Sequence, residues 1–281
     1  MLTNRRALGA AGAVLLLVAA ALIAVGANHR VTESERVALA AATAARAVPA
    51  LSEDGLREVL LPKTDHPEGT ELVEMSLTDA SRMFAPDPQV TVEPVACLGS
   101  LQLAVGEQGA AGVGWIQVGS RRGSEKGAAN RFTATVAQLP DGLDLARLRE
   151  VAGTCTSGTM TWESQKIRAT IQLTEVPVPE LEGATTYGLQ STITFTGLTQ
   201  QQFDQLVADS CRAEAAAAVV AAGWTCDEDV RAAATDGDHT IEQYQLYVAR
   251  GNHYLEICEP DLAVAISMSK TLHDRLRSVV K

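Results

Sequence analysis

Aromatic side chains are scarce in this sequence, at 4 % of its residues, so its core must be mostly aliphatic. Positive charge is in short supply too. Lys and Arg number 23 against 34 Asp and Glu, a formal net charge of −11. Arg5 and Arg6 are the only charges before His29, so the remainder carries 21 positive against 34 negative groups, a net of −13. Nucleic-acid binding rests on Lys and Arg neutralising phosphates, and an acidic chain repels that backbone. Anionic lipid head groups are repelled in the same way. We therefore expect no nucleic-acid partner.

Catalytic and metal-binding patterns are missing as well. No Cys-x-x-Cys pair occurs, and the spacings of Cys97, Cys155, Cys211, Cys226 and Cys258 fit no zinc site. The histidines His29, His66, His253 and His273 are scattered, without His-Glu-x-x-His. Asp227, Glu228, Asp229, Asp236 and Asp238 cluster near His239 but lack the order of a calcium loop, and read as a solvated acidic loop. There is no Gly-x-Ser-x-Gly elbow, and the glycines of 109–114 lack the Gly-Lys-Ser/Thr ending of a phosphate loop. Ser267-Met268-Ser269-Lys270 matches Ser-x-x-Lys, but it lies mid-helix with no Ser-Asp-Asn or Lys-Thr-Gly after it, and reads as a solvated helix face. The expectation is no catalytic residue, no metal, no cofactor and no enzyme.

What is present begins at the N-terminus. Residues 7–27 contain no charged side chain, and about 20 apolar residues suffice for a helix to cross the hydrocarbon core. Arg5 and Arg6 precede the run and only Arg30 follows closely, which favours an N-in, C-out anchor. The rival reading is a cleaved signal peptide with Val25-Gly26-Ala27 as its small-residue site, although cleavable cores are usually shorter, roughly 7–15 residues. Both place the rest outside the cytoplasmic membrane. The five cysteines agree, since all fall in that part, where disulfides persist; an odd number suggests two bridges and one free thiol.

The organisation that follows is a cytoplasmic stub at 1–6, the membrane segment at 7–27, a helical stalk or linker at 28–54 and an α+β domain at 55–281. Thr32 and Glu35 form a capping box that opens the Ala-rich stalk helix, which Pro49 ends. Ser52 to Gly55 punctuates the start of the domain. Strands are expected over 72–77, 89–95, 113–121, 131–139, 160–176, 185–196, 241–249 and 253–259. Helices are expected over 144–152, stopped by Gly153, over 199–222 from the Thr199–Gln202 capping box, and over 262–279 after Pro260-Asp261. Arg250-Gly251-Asn252 marks a hairpin. Strand runs mixed with packed helices predict a mainly antiparallel sheet flanked by helices.

Pro94-Val95-Ala96-Cys97-Leu98-Gly99, then Gly114-Trp115-Ile116-Gln117-Val118, resembles the segment around the first cysteine of PknH-like extracellular sensor domains of mycobacterial exported proteins. The hairpin Tyr247-Val248-Ala249-Arg250-Gly251-Asn252, with Ile257-Cys258 and the closing helix, is similar to the family's last strands and helix. The resemblance covers roughly residues 56–281 and implies a sheet with a cleft flanked by helices and a role in ligand sensing. The chain departs from the family's receptor kinases in that the short stretch before the anchor cannot hold a kinase domain. It also implies a Cys97–Cys155 disulfide, and a second joining Cys258 to Cys226 or Cys211. Cys211 lies on an apolar helical stripe and also reads as a buried free thiol. Trp115, Trp162, Tyr244, Tyr247 and Tyr254, with Tyr187, all fall on expected strands and are candidates to line a ligand cleft, against the simpler reading of sheet packing.

Two functions compete: a non-enzymatic ligand-binding sensor of the cell envelope, and a structural or accessory protein that contacts another envelope protein. In either case the membrane is met through residues 7–27. With the segment uncleaved, the full chain stays in the pellet after an alkaline carbonate wash, and deleting residues 1–27 releases it. A mature N-terminus at Asn28 would instead establish a signal peptide.

Overall fold

The computed structural model describes residues 49–83, 90–94, 97, 112–121, 131–162, 166–203, 205 and 239–280. The membrane segment at 7–27, the Thr32–Glu35 capping box, the acidic cluster at 227–238, and Cys211 and Cys226 lie outside the described residues. Among those described, no helix is long and apolar enough to cross a membrane.

The fold is α+β, built on one antiparallel sheet. Its strands are β1 (Glu71–Ser76), β2 (Val90–Glu93), β3 (Val113–Ser120), β4 (Arg131–Gln138), β5 (Ser157–Trp162), β6 (Ile167–Glu175), β7 (Thr185–Thr196), β8 (His239–Arg250) and β9 (His253–Glu259). They lie in the order β1-β3-β4-β9-β8-β7-β6-β5-β2, and every neighbouring pair is antiparallel. The helices are α1 (Glu53–Val59), α2 (Leu77–Met83), α3 (Leu145–Thr154) and α4 (Leu262–Val279), with a short 3₁₀ turn at Lys63–Asp65.

Strand alternation sorts side chains between two faces. On one, Phe132, Ala134 and Val136 of β4, Leu246 and Val248 of β8, and Leu255 and Ile257 of β9 pack against α1 and α4. The apolar stripe of α4 (Ala265, Met268, Leu272, Leu276) matches its expected face, and Asp261 caps it by accepting from the Ala263 and Val264 amides. Arg275 clasps the two helices by donating to the Glu58 and Val59 carbonyls at 2.6 and 2.9 Å. On the other face, α2 and α3 cover Val73, Met75, Ile116, Val118, Tyr187 and Leu189. Helix α3 is capped by Asp144, which accepts from the Arg147 amide.

Several boundaries differ from expectation. The single strand expected over 160–176 is two, because Lys166 turns back with φ 55° between β5 and β6. Helix α3 runs through Gly153 to Thr154 and ends at Cys155, so that glycine is not its stop. Helix α1 was not expected: Ser52, read as punctuation, accepts from the Gly55 amide and caps it, and its Leu56 and Val59 are fully buried. Helix α2 was unexpected; Ser76, the last residue of β1, caps it through the Asp79 amide at 3.1 Å. Of the helix expected over 199–222, the structure describes its start, where the Gln202 amide donates to Thr199 Oγ1 and the Thr199 amide to Gln202 Oε1.

Two bounds on stability follow. Leu272 is completely buried between α4 and the sheet, so Leu272→Ala costs about 2–5 kcal/mol, read from denaturant midpoints. Cys97 and Cys155 are bridged at a sequence separation of 58; closing a loop of that length is worth about 4 kcal/mol, which the Cys97→Ser/Cys155→Ser variant loses.

Candidate functional site

The two-residue loop of the β8–β9 hairpin, with Gly251 at φ 60°, sets the register of everything beyond it. Arg250 faces His253, so Tyr247 must face Glu256 and Gln245 must face Cys258. Pairing of β9 with β4 places Thr135 opposite Glu256 and Thr133 opposite Cys258. Pairing of β8 with β7 places Tyr187 opposite Tyr247 and Ser191 opposite Gln243. Apart from Arg250 and His253, which lie on the α4 face, these residues share the α3 face. They form a polar band between the aliphatic cluster under α2 and α3 and the aromatic cluster around Trp162, Phe195 and Phe203.

The band is dry. Thr135, Gln245 and Ser191 are at most 1 % exposed, Glu256 is 5 % and Gln243 7 %. Tyr247 donates to Gln245 Oε1 at 3.1 Å and also hydrogen-bonds Glu256. Burial lifts the Glu256 carboxyl to about 8, only partly offset by the Tyr247 bond, so it is protonated at neutral pH. Burial likewise raises the Tyr247 phenol and the Cys258 thiol. The band is thus uncharged as a whole. Arg149, 4.8 Å above the Tyr187 ring, pairs with Glu175 at 3.6 Å instead of reaching it. Ser191 Oγ and Gln243 Oε1, cross-strand neighbours, have no hydrogen-bond partner among the described residues. Leaving such an atom buried and unpaired costs roughly 1–3 kcal/mol, which is why it points to function or to a missing ligand.

The five cleft candidates divide. Tyr247 and Tyr254 lie on the α3 face, fully buried, with Tyr187 stacked 6.4 Å from Tyr247. Trp162 is on the same face at the far end of the sheet, 5.9 Å from Phe195. Trp115 and Tyr244 are on the α4 face, where Trp115 donates to the Glu53 carbonyl at 3.1 Å under Arg57. They do not join the others, because odd positions in β3 and even positions in β8 face that side.

Cys258 is a free, buried thiol among the described residues; the partners expected for it, Cys226 and Cys211, lie outside them. Its side chain sits mid-sheet between Thr133 and Gln245, walled in by both neighbouring strands. The Cys97–Cys155 bridge stands at the end of α3, with a Cα–Cα distance of 4.8 Å. Ser267 and Lys270 are exposed on the outer side of α4, as expected of a solvated face. No cluster of three or more His, Cys, Asp or Glu that could hold a metal occurs among the described residues.

Glu256, Gln243, Gln245 and Ser191 were not singled out from the sequence. The signal was available: with a two-residue loop at Gly251-Asn252, paired positions sum to a constant, and Tyr247–Glu256 follows by counting.

No family model matches the chain, and no curated protein does. Among solved structures, the extracellular domain of PknH from Mycobacterium tuberculosis aligns over 83 % of this chain and 100 % of its own, with a TM-score of 0.44 and 13 % identity. The chain is similar to that domain. An uncharacterised protein from Mycobacterium smegmatis aligns over 82 % of this chain and 100 % of its own, with a TM-score of 0.43 and 13 % identity. The short motifs around Cys97, Trp115 and the β8–β9 hairpin resemble the same kind of domain.

A pH dependence follows from the band. Glu256 holds its proton up to about 8 when folded, against 4.5 for an ordinary carboxyl, so the folded state binds more protons across that window and stability falls as pH rises through it. The full span corresponds to at most about 5 kcal/mol. His253, held down to about 4 by burial and Arg250 against an ordinary 6.5, acts oppositely, losing stability as pH falls through that range. Above 6.5 only the acid side remains. Glu256→Gln is therefore expected to flatten the decline in folding free energy between pH 6.5 and pH 8, measured by denaturant titration, and to gain most at pH 8.

Proposed function

We propose that this chain is a membrane-anchored, extracytoplasmic sensor or ligand-binding module of the cell envelope that acts without catalysing a reaction. The observation that carries the reading is the band on the α3 face, where Ser191 Oγ and Gln243 Oε1 are kept buried and unpaired beside Gln245, Tyr247 and protonated Glu256. A fold under selection for stability alone would fill those positions with aliphatic residues, as it does on either side. The groups are donors and acceptors without net charge, which suits an uncharged ligand bearing hydroxyl or amide groups; an anion would find no cation among them.

The charge-free run at 7–27 supports the anchor, and the Cys97–Cys155 bridge supports an oxidising compartment. The competing reading, an accessory protein docking through an apolar surface, finds little to use: Val113 is the one large hydrophobic residue exposed among the described residues.

Replacing Ser191 by Ala together with Gln243 by Leu should raise the stability of the unliganded protein by about 1–3 kcal/mol, because two unpaired buried atoms are removed. The same variant should no longer be stabilised by uncharged sugars and amides that raise the wild-type melting temperature in a thermal-shift screen. A screen in which no such compound separates the two proteins would sink the ligand reading.

A further inference from the structure

Of the eleven buried side-chain atoms without a hydrogen-bond partner among the described residues, five lie at one corner of the α4 face: Arg250 Nε, Asn252 Oδ1, both ring nitrogens of His253, and His273 Nε2. Gln138, His253 and Arg250 form one cross-strand row over β4, β9 and β8, and α4 brings His273 over it. His253 is completely buried and His273 is 2 % exposed. Five orphaned atoms in so small a volume are not scattered imperfections of packing.

The charge balance there is one-sided. Arg250 is half-buried: its Nη1 donates to the Glu182 carbonyl at 3.4 Å near the surface, while its Nε is buried without a partner among the described residues. Among the described residues no carboxylate is buried against it. Glu182 turns its carboxylate outward, 79 % exposed, to Arg277 at 2.8 Å. Asp274 is 74 % exposed and stands 3.9 Å from His273 Nδ1. Gln138 is neutral and already accepts from the Leu51 amide at 3.0 Å. Arg277 adds a second positive charge near His273, which also hydrogen-bonds the Glu182 backbone. Among the described residues the Arg250 cation and the two imidazoles thus have no buried counter-ion, whereas buried charges are ordinarily paired.

We propose that this corner is a binding site for a small oxyanion, held by the Arg250 guanidinium and the imidazoles of His253 and His273. Guanidinium and imidazole N–H groups give the charge-assisted hydrogen bonds that phosphate, sulfate or carboxylate oxygens accept best. Without the anion, burial and the neighbouring Arg250 hold both histidines below their ordinary range. With it, the sign of the local field reverses, so uptake is coupled to protonation and strengthens as pH falls.

Inorganic phosphate is the probe, tested against chloride at matched ionic strength in thermal shifts of the full-length chain at about pH 5 and pH 7. A saturable stabilisation by phosphate is expected, tighter at the lower pH. Loss of one charge-assisted partner should weaken half-saturation about tenfold in Arg250→Gln and His273→Gln, with Lys270→Gln, on the exposed side of α4, unchanged. Should Arg250→Gln fail to fold, phosphate must still raise the histidine pKa values of the wild type, followed by side-chain NMR. Equal stabilisation of wild type and variants, no saturation, or unmoved histidine titrations would each overturn the site and leave water bridging these groups.

Discussion

The insertion of β9 between β4 and β8 is the constraint on which the rest of this structure depends. β1, β3 and β4 make one antiparallel group, and β8, β7, β6, β5 and β2 make another. Only residues His253–Glu259 join them, and all seven are buried. Both flanking helical layers meet over this strand: Leu255 and Ile257 sit under α4, and Tyr254 joins the cluster under α2 and α3. A strand paired on both edges and covered on both faces must be apolar or hold its polar groups without water. β9 does both, and Glu256 and His253, two of its buried polar residues, mark two places where the molecule departs from efficient packing.

Those departures have opposite electrostatic character although they share a strand. The acid on the α3 face is neutralised by keeping its proton, so that face is a neutral, hydrogen-bonding surface. The histidine on the α4 face is neutralised by losing its proton beside an uncompensated Arg250, so that corner is short of negative charge. Alternation along the strand separates two such environments by the thickness of one sheet. Residues three apart on one strand therefore serve chemically distinct surroundings.

Much of the architecture was legible from periodicity. β7, β9 and α4 fall where alternation and the 3.6-residue stripe place them, because each is long and bounded by a turn or cap. Short elements hidden by their neighbours were not. Helix α2 begins at the residue after β1 with no polar spacer, and α1 was concealed in a stretch that looked like punctuation. The β5–β6 turn was missed because it depends on a lysine in a left-handed conformation, which composition does not announce. The candidate site was half legible: Tyr247 and Tyr254 were identifiable as strand aromatics, but which face they occupy is a matter of register. The polar partners that give the band its character look like ordinary solvent-facing residues until β4 and β7 are placed on either side. Cys258 illustrates the same limit, since thiol spacing along the chain says nothing about two strands walling it in.

Arg275 ties α4 to the last turn of α1, and the Leu51 amide is held by Gln138 at the end of β4. The chain preceding residue 49 therefore joins the domain at a point mechanically linked to its C-terminal helix. Tension applied through that preceding segment would not peel a sheet edge strand by strand. It would load α1 first and pass through Arg275 to α4, the helix that roofs the orphaned histidine corner, so a tug at one end of the chain is felt at the other.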